Sequence, residues 1–323
     1  MRLHNTDLVS LVSSSFERSM ALDPIDTVDR LDRFVFNFPD SEVASATRMQ
    51  GEQFNLGRRA KQQLLTRVGM PEKVLDRLPV GLRFATVNHL VQQYEAEQMM
   101  TLRTIAGDDR RIVRALVTDR YTPIDDVDIV PVVADVLADT DAEIKMADFG
   151  EDFTHIRLVF PKTQTEVKKG DIIQTGLNIS NSEVGMRAVR IEPFNYRLVC
   201  TNGMTRTEGA GSTSLRHIGN AARLKDSIAR AVEDARGAAA QMQEAFKKAL
   251  HHSVADPFKL INDHGMEHLS QDALKQVLAA YTVEPDPNLF GVINAFTRAA
   301  QTADTVEARY EFERVGARLL AHA

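Results

Sequence analysis

The chain has 323 residues, a net charge of −6 at neutral pH, 43% hydrophobic residues and 26% charged residues. That composition is globular and excludes a disordered, collagen-like or coiled-coil chain, and the length allows one large domain or two modest ones whose core needs no staples. One cysteine, Cys200, cannot close an internal disulfide, the first twenty residues hold no apolar run of signal-peptide length, and no stretch approaches the ~18 apolar residues of a membrane span; a soluble intracellular protein is expected.

In chain order, residues 7–20 suit a short helix, and Phe34, Phe36 and Phe38 alternate like a strand before Pro39-Asp40. Asn55 reads as the N-cap of a helix through Ala60, Leu64, Leu65 and Val68 that Gly69 ends. Pro71 opens a short helix, and a third runs from Phe84 to Met99 with Val87, Leu90, Val91 and Tyr94 on one face. The period then changes. MTLRTIAGDDRRIVRALVTDRY reads as two strands around a turn at Ala106-Gly107-Asp108-Asp109. Asp125 or Asp126 caps a helix through Val130, Val133 and Leu137. A hairpin turning at Gly150-Glu151 puts Thr154, Ile156, Leu158 and Phe160 on one face, with His155 and Arg157 on the other. The strand after it sets Ile173, Thr175, Leu177 and Ile179 against Gln174, Gly176, Asn178 and Ser180. The last strand is long or broken near Pro193, and from about Asn220 the chain is helical to its end. The expected class is α+β: a central antiparallel sheet of about five to seven strands with one solvated face, flanked by N-terminal helices and a C-terminal helical region. The expected division is an N-terminal extension over 1–50, an α+β core over 51–220 and C-terminal helices over 221–323 packed on that core.

The acidic total hides a local reversal. Residues 183–225 carry seven Lys/Arg against three Asp/Glu, net +4, within flanks that are net negative. No GxxxxGK[ST], GxGxxG, CxxC or GxSxG occurs, so NTPase, dinucleotide and hydrolase readings lack their handles. His264-Gly265-Met266-Glu267-His268 spells an inverted zinc-protease pattern, but Gly265 weakens a helix there and Ser270 reads as the N-cap of the next one, so loop and helix-start residues are the preferred reading. Cys200 reads as an inert buried thiol. The cluster that stands out is Arg111, Arg114, Arg120, Arg187, Arg190, Arg197, Arg206, Arg216 and His217, with Tyr121 and Asn202 beside it. Antiparallel pairing would gather Arg114, Arg120, Arg157, Arg187 and Arg197 on the solvated sheet face with Gln174, Asn178 and Ser180. Guanidinium groups spaced along strands suit a phosphate backbone, with Tyr121 or Tyr196 stacking on bases, whereas the bland alternative pairs them with Asp119, Asp125 and Glu192.

Four segments carry a resemblance: GRRAKQQLLTRVGMPEKVLDRLP, RIVRALVTDRYTPIDDVDIV, GLNISNSEVGMRAVRIEPFNYRLVCTNGM and LFGVINAFTRAAQ. Over about residues 50–320 the chain resembles the phage/plasmid-like domain-of-unknown-function family 932. Thr118 stands where that family more often has Ser, which keeps the hydroxyl. The resemblance implies a protein of phage, prophage or plasmid origin in the cytoplasm of a bacterial host cell, in DNA metabolism such as recombination or annealing. By analogy of outline alone, a basic sheet with flanking helices is similar to phage single-strand annealing proteins. The leading expectation is therefore a non-enzymatic protein that binds single-stranded DNA, without cofactor or metal, acting as a homo-oligomer. The alternatives are a metal-dependent nuclease or nucleic-acid-modifying enzyme using Asp119, Asp125, Asp126, Asp148 and Asp152, and a module that engages a host defence protein through its acidic C-terminal helices.

Overall fold

The first strand already pairs far across the chain. In the computed structural model, which describes residues 1–40, 43–94, 97–197, 202–205 and 212–322, β1 (Arg2–Thr6) pairs with a strand more than a hundred residues away. There follow α1 (Leu8–Leu22), β2 (Ile25–Arg30), β3 (Phe34–Asn37), β4 (Ser45–Arg48), β5 (Gln53–Leu56), α2 (Arg58–Arg67), α3 (Glu72–Leu75), α4 (Val80–Tyr94), β6 (Met99–Ile105), β7 (Ile112–Thr118) and α5 (Asp126–Leu137). The second half holds β8 (Glu143–Phe149), β9 (Thr154–Val159), β10 (Thr165–Lys168), β11 (Asp171–Asn181), β12 (Val189–Arg197), β13 (Asn202–Thr205) and β14 (Thr213–Leu215). It ends in α6 (Ala221–His251), α7 (Pro257–Met266), α8 (Gln271–Val283), α9 (Leu289–Ala299) and α10 (Val306–Arg318). The α+β class and the C-terminal helical region stand. Among the described residues none of the helices is long and apolar enough to cross a membrane.

The strands form two sheets rather than one. The larger is antiparallel in the order β1-β8-β9-β11-β12-β13, with β10 against β11 and β14 against β12. The smaller runs β2-β6-β7-β5-β4-β3 and is mixed, because β5 pairs parallel with β7 (Asn55 opposite Ile112). Residues 1–50 are thus no extension: they supply β1 to the larger sheet and β2, β3 and β4 to the smaller. Asn55 lies inside β5, and Gly57 is the residue that begins α2. A side chain at 57 would meet the Val113 carbonyl, since the Gly57 N–H donates to that oxygen at 2.9 Å. Pro193 does not break β12. It sits where the outer ladder is interrupted, between the pairing of Val189–Ile191 with β14 and of Phe194–Arg197 with β13, a place that tolerates a residue without an N–H.

Among the described residues, three large apolar cores hold these parts, with a small fourth cluster of Ala115, Val117 and Val184 against Tyr121. Phe34, Phe36, Phe54, Met100, Leu102 and Val113 of the smaller sheet pack on Ala60, Leu64 and Leu65 of α2 and Val87 and Val91 of α4. Ile156, Leu158, Leu177, Ile179 and Ile191 of the larger sheet pack on Leu11 of α1, Val130, Val133 and Leu137 of α5, and Ile228 and Val232 of α6. The helices α7–α10 close a third core around Phe290, Ile293 and Phe296, which takes in Phe246 of α6 and reaches the larger sheet through Ile173. Each fully buried Phe, Leu or Ile contributes about 1.5–3 kcal/mol.

The other face of the larger sheet is polar, as its alternation predicts, but it is not solvated. Cross-strand rows run Asp148–His155–Ser180–Arg190–Ser214 and Met146–Arg157–Asn178–Glu192. α10 lies over them. Arg157 Nη1 and Nη2 donate to Glu313 Oε1 and Oε2 at 3.0 and 2.6 Å, Glu313 is fully buried, and the Arg157 guanidinium stands 4.6 Å from the Phe194 ring centre.

Candidate functional site

Where the two sheets meet, charged side chains from distant segments converge in a buried junction. Arg103 of β6, 1% exposed, donates Nη1 and Nη2 to the two Asp125 oxygens at 2.7 Å each and Nε to Asp26 at 3.1 Å. Arg114 of β7 donates to Glu183 at 2.6 Å, and Arg18 of α1 bridges Glu183 at 3.0 Å and Asp126 at 3.2 Å. Asp126 also accepts from Thr154 Oγ1 at 2.5 Å and Asn181 Nδ2 at 3.1 Å, and its backbone N–H donates to Glu183 at 2.9 Å. Burial and the neighbouring Glu183 carboxylate push Asp126 upward. Burial alone would push Glu183 upward too, but Arg18, Arg114 and the Asp126 N–H hold it below its ordinary range. The junction is an internal clasp, since its charges are spent on each other.

On this clasp rests a cleft of about 1100 Å³. Arg59, Gln62, Gln63, Thr66 and Arg67 of α2 form one wall. Leu116–Thr118 and Tyr121 form its base, and Gly185–Ala188 and Arg216–Ile218 form the far side. Gln63 ties the walls together: its Nε2 donates to the Val184 carbonyl and its Oε1 accepts from the Leu116 N–H, both at 2.8 Å. Tyr121 is stacked on His217 at 4.9 Å with the rings 6° apart, its hydroxyl donates to the Ser182 carbonyl at 3.3 Å, and the Arg103 guanidinium lies 5.6 Å from its ring centre. His217 Nε2 is 3.0 Å from Asn181 Oδ1, and burial lowers its pKa to about 4, so the ring is neutral. Among the described residues lining the cleft, Arg59, Arg67, Arg187 and Arg216 are cationic and no carboxylate appears. Arg59 shares its charge with Asp152 from outside the lining. Four guanidinium groups around an open, partly apolar cleft make a receptor for an anion.

The structure separates the residues that the sequence groups. Tyr121, Arg187, Arg216 and His217 line the cleft. Tyr121 offers no open ring face for a base, because it is already engaged by His217 and Arg103. Arg114 is held in the clasp, not on a solvated face, and with Arg120 it belongs to the smaller sheet's β7 segment, away from Arg157 and Arg187 of the larger one. Arg111 precedes β7 and pairs with Asp23 at 2.8 Å. The length of that strand, about 23 Å at ~3.3 Å per residue, divides it from Tyr121. Arg120 is exposed at the end of β7, and Arg190 is half-buried beneath α10. The side chains of Tyr196, Arg197 and Asn202, and the whole of Cys200 and Arg206, lie outside the described residues. The carboxylates considered for a metal are taken up by arginines: Asp125 by Arg103, Asp126 by Arg18, Asp148 by Arg2 at 2.6 Å, and Asp152 by Arg58 at 2.7 Å and by Arg59. Asp119 is exposed. His264 bonds the Val315 carbonyl at 2.8 Å, and His268 faces Arg318. Ser270 caps α8 by accepting from the Ala273 N–H.

Arg59 and Arg67 are the residues that the sequence reading passed over. Arg59, Gln62, Gln63, Thr66 and Arg67 fall at i, i+3, i+4, i+7 and i+8, a helical stripe without an acid opposite the buried Ala60, Leu64 and Leu65. That stripe is the signal that could have found them.

No curated protein and no solved structure matches the chain. Residues 114–310, from the arginine of the clasp to the α10 tyrosine beside Arg187, match the family described as Domain of unknown function (DUF932), and the chain belongs to that family.

Proposed function

We propose that the chain binds single-stranded nucleic acid, holding the phosphate backbone in the basic cleft, and serves DNA metabolism of a phage- or plasmid-derived element. The observation that carries this reading is the cleft lined by Arg59, Arg67, Arg187 and Arg216 with no carboxylate among its described lining residues. A duplex would present its backbone as a broad convex surface, whereas a single strand follows a narrow groove between a helix and a sheet edge. The bases face outward in this reading, since the one described aromatic ring pair in the wall is stacked on itself. Fluorescence anisotropy of a labelled oligonucleotide across a salt series is the test. Four phosphate contacts at about −0.7 each give a log–log slope near −3, so affinity falls about 50-fold between 50 and 200 mM salt. Arg67→Ala and Arg216→Ala each weaken binding and reduce the slope by about 0.7. Absent or salt-independent binding refutes the reading.

A further inference from the structure

Behind the cleft, the seam between the polar sheet face and α10 holds a second basic group. Arg190 lies on β12 opposite Ser180 on one side and Ser214 on the other. Arg187 belongs to both places. It lines the cleft, and its guanidinium stands 4.8 Å from the Phe153 ring centre and 5.7 Å from that of Tyr310 on α10. Arg314, one turn along α10 from Tyr310, faces the same group. The three arginines act on one carboxylate, Glu192. No ion pair within 4 Å joins any of them to it among the described residues. Buried polar atoms remain without hydrogen-bond partners there: Arg187 Nη1, Arg190 Nε, Arg314 Nε and Glu192 Oε2.

Such a set is costly as a purely structural device. A buried cation is normally paired, and this seam contains a solved example in Arg157 and Glu313, with two bonds and no exposed carboxylate. The Arg187–Arg190–Arg314 group instead shares Glu192 as its one common carboxylate; Glu307 acts on Arg187 and Glu311 on Arg314 from α10, and Arg318 adds a fourth positive charge beside Arg314, so cations still outnumber carboxylates. Burial pushes Glu192 up to about 7 despite the arginines, so it carries a proton part of the time in neutral solution and can then donate a hydrogen bond. Burial and the mutual repulsion of the arginines press Arg187 and Arg314 downward. A doubly charged anion offsets the repulsion among the arginines and favours the protonated Glu192.

We infer that Arg187, Arg190 and Arg314 form a binding site for a phosphomonoester dianion, entered from the cleft past Arg187. A phosphomonoester carries −1.5 to −2 charges and three acceptor oxygens, which suits three guanidinium groups better than the single charge of an internal phosphodiester. The ligand is either a free phosphate compound or the phosphorylated end of a strand. The second source rests on the nucleic-acid reading of the cleft; the first does not.

The test has two arms. Isothermal titration with inorganic phosphate at constant ionic strength reads the site itself. Saturable binding is expected, weakened at least about tenfold by Arg190→Gln or Arg314→Gln and strengthened by Glu192→Gln. Thermal unfolding of Arg190→Gln without phosphate should show no loss of stability, because a half-buried guanidinium without a carboxylate on it is removed; a merely structural arginine would lower the Tm. The second arm compares oligonucleotides bearing a 5′-phosphate, a 3′-phosphate or neither. Preference for one phosphorylated end, lost in Arg190→Gln, assigns the strand end as source. Phosphate binding without end preference assigns a free phosphate compound, and leaves the salt-series result to decide the cleft. No saturable phosphate binding, or equal binding by wild type and both arginine variants, overturns the site.

Discussion

The Arg157–Glu313 pair gives a sharp energetic test of how the C-terminal helices are held. Arg157 is on β9 and Glu313 is on α10, 156 residues apart, and the pair is bidentate, dry and backed by the Phe194 ring. Removing Glu313 leaves the buried Arg157 charge uncompensated, which costs about 3–5 kcal/mol, while replacing both by apolar side chains of similar volume is close to neutral. At ~2.1 cal/mol/K per residue, a chain of 323 residues unfolding as a unit has an unfolding entropy of about 0.7 kcal/mol/K, so that cost lowers Tm by about 4–7 °C. Glu313→Leu should show this loss, and Arg157→Met a loss of the same sign. The double variant should recover most of it, giving a coupling energy above 2 kcal/mol in a double-mutant cycle. Calorimetry on the four proteins is the assay. Single variants within 1 °C of wild type, or a double variant as destabilised as the sum of the singles, would refute the claim that the roof is clamped by a desolvated ion pair.

Three further outcomes follow from the same geometry. Glu192 has a folded-state pKa of about 7 against an ordinary value of 4.5, so ionising it costs stability that grows from pH 4.5 to 7. Glu192→Gln should therefore gain on wild type by up to roughly 3 kcal/mol at pH 8 and by little at pH 4.5 in urea titrations, and a gain independent of pH would contradict this. His217 is held near 4 against 6.5, chiefly by burial, so the unfolded chain takes up a proton first on acidification, and wild type loses stability as pH falls from 6.5 to 4. His217→Gln should flatten that loss by up to about 1.4 kcal/mol per pH unit, read by the same titrations. Gly185 has φ +75°, and a side chain there would sit 2.8 Å from Val117 Cγ1. Gly185→Ala should cost about 1–3 kcal/mol and weaken oligonucleotide binding through the displaced cleft wall; unchanged Tm and affinity would count against that placement.

Local periodicity was legible and long-range pairing was not. The alternation in β9 and β11 correctly put His155, Arg157, Asn178 and Ser180 on one face, and Asn220 and Ser270 correctly began α6 and α8, because those signals lie within a few residues. The polar face was read as solvated because nothing local announces that Glu313 returns to Arg157. β1 was missed for a related reason. Arg2–Thr6 contains one large hydrophobe, and an edge strand of this kind is held by its backbone, as in the Phe149 N–H donating to the Met1 carbonyl at 2.8 Å. Arg114 looked like its neighbour Arg120 on paper. Only the convergence of Glu183 and Asp125 from other segments makes one a clasp residue and leaves the other exposed.

The clasp and the cleft are one construction seen from two sides, which explains why an acidic chain can carry a cationic site. The junction sets four carboxylates, Asp26, Asp125, Asp126 and Glu183, against three arginines, Arg18, Arg103 and Arg114, and burial pushes Asp126 up to about 7 so that it is partly protonated; the junction therefore adds little field to its surroundings. The same short segments then turn outward. Glu183 is followed by Val184, which anchors Gln63, and by Gly185–Arg187 in the cleft wall, while Asn181 fixes His217 and His217 backs Tyr121. Charge that is neutral where it is buried and positive where it is open requires the wall to be rigid, because a shift would bring the clasp carboxylates within reach of the cleft arginines and cancel them. The stacked Tyr121–His217 pair and the Gln63 bridge supply that rigidity between the two. A neutral substitution in the clasp, such as Glu183→Gln, would free Arg114 of its partner at 2.6 Å and raise the positive field behind the cleft. It should thus lower stability while steepening the salt dependence of oligonucleotide binding, a combination that simple unfolding of the site does not produce.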